Sequence, residues 1–202
     1  MTRSTAVAHE GVSSLVLPSR RTLLVRSGQA VLSASAIAIL AGCETMAGSR
    51  QANADSTAND AEILNTALGL EYEGVAAYQV GVESGLLSSA VRDLAVTFQD
   101  HHKAHADLLA ATVRKLGGMP VEPKRTSEYV FPVDQLKSET DVIRFAAGLE
   151  QGATSAYLGA VPLFGDRELA KAAASILGDE AMHWAVLRYA LGEEPVPDAF
   201  VS

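Results

Sequence analysis

The chain has 202 residues, enough for one domain with a real core and sequence to spare. Apolar residues make up 48 % and aromatics only 5 %, a balance that favours helices over a β-sandwich. A net charge of −8 argues against a nucleic-acid binder, and the single cysteine, Cys43, excludes an intrachain disulfide.

The charge is unevenly placed. Arg3, Arg20, Arg21 and Arg26 precede Cys43 with one acid, Glu10, whereas 12 basic residues face 23 acidic ones from Cys43 onward. A basic leader ahead of an acidic body is the pattern of an export signal. Ser19, Arg20 and Arg21 are followed by Thr22, Leu23, Leu24 and then the apolar stretch Ala30 to Leu40. Such a stretch makes about 16 Å of helix, too short for a bilayer core of about 30 Å but suited to a signal peptide. The arginine pair resembles a twin-arginine signal, with a Sec-type signal as the alternative. Leu40, Ala41, Gly42 and Cys43 resemble the lipobox of bacterial lipoproteins. There the small residues fit a peptidase pocket, and the thiol gives the thioether to the lipid. The expected organisation is a signal peptide over 1–42, a small polar tether over 43–60 and a helical domain over 61–202. The expected location is the periplasm-facing cell envelope, with a membrane anchor through lipid on Cys43.

The next element carries Ile63, Leu64, Ala67, Leu68, Val75, Tyr78 and Val82 on one helical stripe, with Asn59 or Asp60 available as its cap and Gly81 and Gly85 near its end. A second helix starts at Ser88 or Ser89, carries Leu94, Phe98, Leu109, Val113 and Leu116, and stops at Gly117-Gly118. Residues 119–137 hold three prolines and no period, a long connection for a bundle. A third helix starts near Ser138 in a capping-box-like sequence closed by Asp141, with Val142, Phe145, Ala146, Leu149, Ala153 and Tyr157 inward, and ends before Pro162. Gly165-Asp166 opens a fourth, with Leu169, Ala173, Ile176, Leu177, Trp184 and Leu187 inward. Short, long and short connections predict an all-α, antiparallel four-helix bundle with one long crossover between helices 2 and 3.

The chain repeats itself. Leu70-Glu71 leads to Ala77-Tyr78, and Leu149-Glu150 leads to Ala156-Tyr157. Seven residues are close to two turns, so each Glu shares a stripe with its Tyr. The partner helices carry His102-x-x-His105 and Glu180-x-x-His183, each pair on one face. Three glutamates and three histidines thus converge from four helices. A buried carboxylate needs a metal, a cation or a proton, and carboxylate with imidazole suits iron, manganese or zinc. The alternative is a bundle in which these Glu and His residues pair with one another and with the tyrosines, without metal. His101 neighbours the stripe and is expected half-exposed; Glu73 is expected to face solvent. Gly69 and Gly74 flank Glu71 and point to close packing there.

This ordered set resembles the ferritin-like di-metal carboxylate superfamily, and the Leu-Glu/Ala-Tyr pattern resembles its exported bacterial ferritin-like domain families. The resemblance covers about residues 60 to 191. It implies Glu71 and Glu150 as terminal ligands, His105 and His183 as one ligand to each metal, and Glu180 as a bridge. It also implies Tyr78 against Glu150 and, by the internal symmetry, Tyr157 against Glu71. One position departs from the pattern: residue 102 is His where a bridging Glu is expected. Either the two metals are held differently, or one site is weak, or a single metal binds. The expected function is an exported, lipid-anchored metal-binding protein. Its iron centre is di-iron or mononuclear, and if catalytic it oxidises Fe(II) or reduces O₂ or peroxide. A non-enzymatic envelope or stress-related bundle with a vestigial site is the alternative. A lipid tether suits a monomer or small homo-oligomer better than a cage.

Overall fold

The computed structural model describes residues 49–201, with side chains from Ser56 onward. The expected signal peptide, Cys43 and the first residues of the expected tether lie outside the described residues. Four helices carry the fold: α1 (Ser49–Glu83), α2 (Ser89–Lys115), α3 (Glu139–Ala160) and α4 (Arg167–Ala190). The described residues contain no strand, and none of their helices is long and apolar enough to cross a membrane. α1 packs on α2 and α3 on α4 as two hairpins, which meet chiefly through α1 and α3. The chain is an all-α four-helix bundle.

The helix ends follow local chemistry. Gly85 and Gly117 adopt positive φ (71° and 83°), which a side chain would strain, and so end α1 and α2. The Ser138 hydroxyl accepts the Asp141 N–H at the start of α3, while Asp166 accepts the N–H groups of Glu168 and Leu169 at the start of α4.

The start of α1 differs from expectation. The stretch expected as a tether is helical from Ser49, so neither Asn59 nor Asp60 is a cap. The Asp60 side chain is buried, and its carboxylate accepts the Gly165 and Asp166 N–H groups at 2.8 and 3.0 Å. The first part of α1 therefore clamps the turn between α3 and α4. Gly165 lets the Ser56 hydroxyl lie close, since a Cβ would be 2.0 Å from it and would force the serine to turn away.

Two apolar clusters order the bundle. One joins Leu64, Leu68, Leu109, Val113, Tyr157 and Ile176; the other joins Tyr78, Phe98, Ile143, Ala147 and Leu187. Along α1 and α4 the first cluster precedes the second, and along α2 and α3 it follows. α2 and α3 are thus parallel, and the crossover has to travel the length of the bundle. That requirement is why residues 116–138 form a long connection. It holds two short 3₁₀ turns, Thr126–Glu128 and Val133–Gln135. Asn65 pins it by donating to the Met119 carbonyl and accepting the Val121 N–H. Phe131 packs edge-on against Phe145. Glu73, expected in solvent, is half-buried, and burial raises its pKa while Lys124 opposes the shift.

Leu68 has no exposed surface. Leu68→Ala is expected to cost about 2–5 kcal/mol in denaturant unfolding, since a rigid bundle cannot fully close the cavity. A loss below about 1 kcal/mol would mean that this end of the core is loosely packed.

Candidate metal centre

On every helix the polar residues of interest sit between the two apolar clusters. Glu71 from α1, His102 from α2, Glu150 from α3, and Glu180 and His183 from α4 are all buried, and Glu180 has no exposed surface. The His105 side chain is 14 % exposed. The six side chains form two overlapping groups of potential ligands. One is Glu71, His102, His105 and Glu180; the other is His102, Glu150, Glu180 and His183. Glu180 and His102 belong to both.

The internal repeat has a structural counterpart. The Tyr157 hydroxyl donates to Glu71 Oε1 at 2.5 Å, and the Tyr78 hydroxyl donates to Glu150 Oε1. Each tyrosine thus crosses between hairpins and fixes the other hairpin's carboxylate. Burial first, then the carboxylate it touches, pushes each tyrosine pKa well above the usual range.

His102 breaks the symmetry. Its Nδ1 lies 2.8 Å from Glu71 Oε2 and its Nε2 lies 3.3 Å from Glu150 Oε1, so one ring spans both terminal carboxylates. Gly74 makes room for it, since a Cβ there would lie 3.0 Å from the ring atoms Cε1 and Nδ1. Nothing crowds Gly69, so only one of the two glycines near Glu71 is required by packing against the site.

The metal-free protonation pattern follows from these contacts. Burial would lower the His102 pKa, but the hydrogen bonds to Glu150 and Glu71 outweigh it and hold the ring well above the usual range. Burial also works against His105, yet the Glu180 and Glu71 carboxylates raise it to about 9. Glu71 and Glu150 resist burial and stay below the ordinary carboxylate range, drawn down by their imidazole neighbours. Burial raises Glu180 to about 9, and Glu150 reinforces the shift.

A pH dependence results. Glu180, His102 and His105 keep protons in the fold that the unfolded chain releases above about 4.5 and 6.5, so stability falls as pH rises through about 9. Glu71 and Glu150 act oppositely, and their contribution is lost as pH falls below about 4.5. The metal-free protein is therefore expected to melt highest between about pH 4.5 and 6.5 and progressively lower toward pH 9. Melting curves in chelator test this, and a melting temperature that rises from pH 6 to 9 would refute it.

Several buried atoms have no hydrogen-bond partner: both Glu180 oxygens, Glu150 Oε2, and Nδ1 of His105 and His183. His105 Nδ1 lies 3.2 Å from Glu180 Oε1, and His183 Nδ1 lies 3.4 Å from Glu150 Oε1, without hydrogen-bond alignment. Unpartnered buried carboxylate and imidazole atoms facing one another are what a cation would satisfy. The donor set fits a first-row divalent ion.

Outside these six, Asp179 is the residue that sequence reasoning missed. Its Oδ2 lies 3.3 Å from His105 Nε2 and 3.4 Å from His183 Nε2. It faces the outward edge of both rings, whose Nδ1 atoms point inward, the place where outer partners of ligand histidines sit. Its i, i+4 relation to His183 was a readable signal. Its approach to His105 on another helix was not.

The profile of the ferritin-like domain family matches residues 59–193. The chain belongs to the ferritin-like domain family. No protein of curated function matches it significantly. Among solved structures, the crystal structure of a conserved hypothetical protein from Mycobacterium tuberculosis is similar, with a TM-score of 0.60 and 22 % identity. The similarity covers 70 % of this chain and 96 % of that one. At that identity the likeness speaks to the ferritin-like fold alone.

Proposed function

We propose that this ferritin-like protein binds a divalent first-row metal, iron foremost, at the buried centre, and that it is exported and held to the membrane by lipid on Cys43. The observation that carries the metal reading is the set of unpartnered atoms at the centre: both Glu180 oxygens with His105 Nδ1 and His183 Nδ1. When bound, iron would supply one-electron chemistry toward O₂ or peroxide, whereas zinc would supply only Lewis acidity.

The protein's own residues set how many ions bind tightly. A neutral imidazole has a single lone pair. The 2.8 Å contact marks His102 Nδ1 as the N–H that donates to Glu71. Its Nε2 then faces the half of the pocket that holds Glu150, Glu180 and His183. That half has four protein ligands, while Glu71, His105 and Glu180 form a half with three. We therefore assign one tight ion to the Glu150 half. Tyr78 and Tyr157 hold Glu150 and Glu71 against rotation, and Asp179 faces the outward nitrogens of His105 and His183. Elemental analysis after reconstitution with Fe(II), Mn(II) or Zn(II) is expected to find tightly held metal. Less than about half an equivalent of each would sink the reading.

A second reading is a non-enzymatic envelope protein with a vestigial site. The His102 bridge between Glu71 and Glu150 favours it, since it gives each terminal carboxylate a hydrogen bond without metal. Metal content separates the two, and oxygen consumption on addition of Fe(II) then separates an enzyme from a carrier. The anchor and export readings rest on the arginine pair, the apolar stretch and the lipobox-like Cys43. Cys43→Ser is expected to move the protein from the membrane to the soluble fraction, and retention in membranes would refute lipidation.

A further inference from the structure

We propose that His101, Asp179 and the outward edge of His183 form a second cation site, for a first-row divalent ion, on the solvent side of the buried centre. His101 was expected at the margin of the stripe, and its side chain is 45 % exposed. Its Nδ1 lies 3.0 Å from Asp179 Oδ2 and 3.0 Å from His183 Nε2. The third edge, Asp179 Oδ2 to His183 Nε2, is 3.4 Å. A tetrahedral ion with ligands at about 2.0–2.1 Å spaces them by about 3.3 Å. The triangle therefore matches one face of such a coordination shell, and solvent can supply the fourth ligand.

His101 Nδ1, His183 Nε2 and His105 Nε2 all converge on Asp179 Oδ2, at 3.0, 3.4 and 3.3 Å. If His101 Nδ1 and His183 Nε2 both carry protons, two N–H groups face each other at 3.0 Å. If only one does, its single N–H has to be shared between the other ring's lone pair and Asp179 Oδ2. A cation in the triangle uses both lone pairs and the carboxylate together. The geometry is also braced: the Phe98 ring stacks on His183 at 3.9 Å between centroids.

His183 belongs to both sites, through Nδ1 inward and Nε2 outward. Its one lone pair cannot serve both while the ring is neutral. Filling the buried centre puts the His183 proton on Nε2 and removes a ligand from the outer site. The outer site is thus a loading position, filled first and emptied as the inner ion settles. This coupling rests on the buried centre holding metal; the outer site does not.

The test uses Zn²⁺ with the folded full-length protein, and circular dichroism to check folding of each variant. Glu180→Gln disables the buried centre and leaves the outer triangle intact. It is expected to retain one weakly bound Zn²⁺ by equilibrium dialysis, and adding His101→Ala is expected to abolish it. Equal Zn²⁺ binding by the single and double variants would overturn the site. In the otherwise unchanged protein, His101→Ala is expected to slow loading of limiting Zn²⁺ several-fold while leaving the final tight content the same. An unchanged rate would overturn the loading role. A wild-type affinity no higher than that of Glu180→Gln would count against the buried centre, while the His101 comparison still decides the outer site.

Discussion

Replacing His102 by glutamate is expected to raise the number of tightly bound divalent ions from one to two. His102 lies between Glu71 and Glu150 and belongs to both groups of potential ligands, yet its imidazole can give a lone pair to only one. A carboxylate at the same point has an oxygen for each half. It would also restore Glu-x-x-His on α2, matching α4, and four carboxylates would balance two divalent ions. The same change should harm the metal-free protein. It removes the cation between two buried carboxylates and adds a fourth carboxylate, at a cost of roughly 3–5 kcal/mol. Metal-dependent stabilisation should therefore grow as the metal-free form weakens. Equilibrium dialysis gives the stoichiometry, and denaturation with and without metal gives the linkage. A His102→Glu protein that still binds one ion would show that something other than residue 102 limits the centre.

Glu180→Gln is expected to separate metal binding from folding. Burial raises the Glu180 pKa to about 9, so near neutral pH and without metal the carboxyl keeps its proton. Glutamine has nearly the same shape and no charge, so the metal-free variant should unfold within about 1 kcal/mol of the parent. Metal affinity should fall by at least about 100-fold, because even the outer partners of metal ligands contribute 10–100-fold. Competition with a chelator of known affinity measures the loss. Unchanged affinity would remove Glu180 from the site, and failure to fold would contradict its neutral state.

Much of the bundle was legible in the sequence for simple reasons. The apolar stripes, Gly85, Gly117, Ser138 and Asp166 are local signals, and each marks an element or an end. The beginning of α1 was not legible. Small polar residues over 49–60 are nearly neutral between helix and coil, and the partners of Asp60 are Gly165 and Asp166, more than a hundred residues away. No local pattern announces such a pair.

The centre was legible as a cluster because the repeat marks it twice, once in each hairpin. The roles within it were harder to read. The sequence shows that His102 replaces an expected carboxylate, but only packing shows its ring spanning two carboxylates with Gly74 cut away beneath it. Asp179 was hidden because it sits one residue before Glu180 on its own helix, and its significance comes from His101 and His105 on another. Tertiary contacts between side chains on different helices have no period in the sequence.

A metal ion held at Glu180 between the two hairpins would be seen in crystals grown with Mn²⁺ or Fe²⁺ and measured at the metal's absorption edge. One strong anomalous peak is expected about 2.0–2.2 Å from a Glu180 oxygen and from His183 Nδ1. A pocket without anomalous density, in crystals whose surface sites are filled, would contradict it.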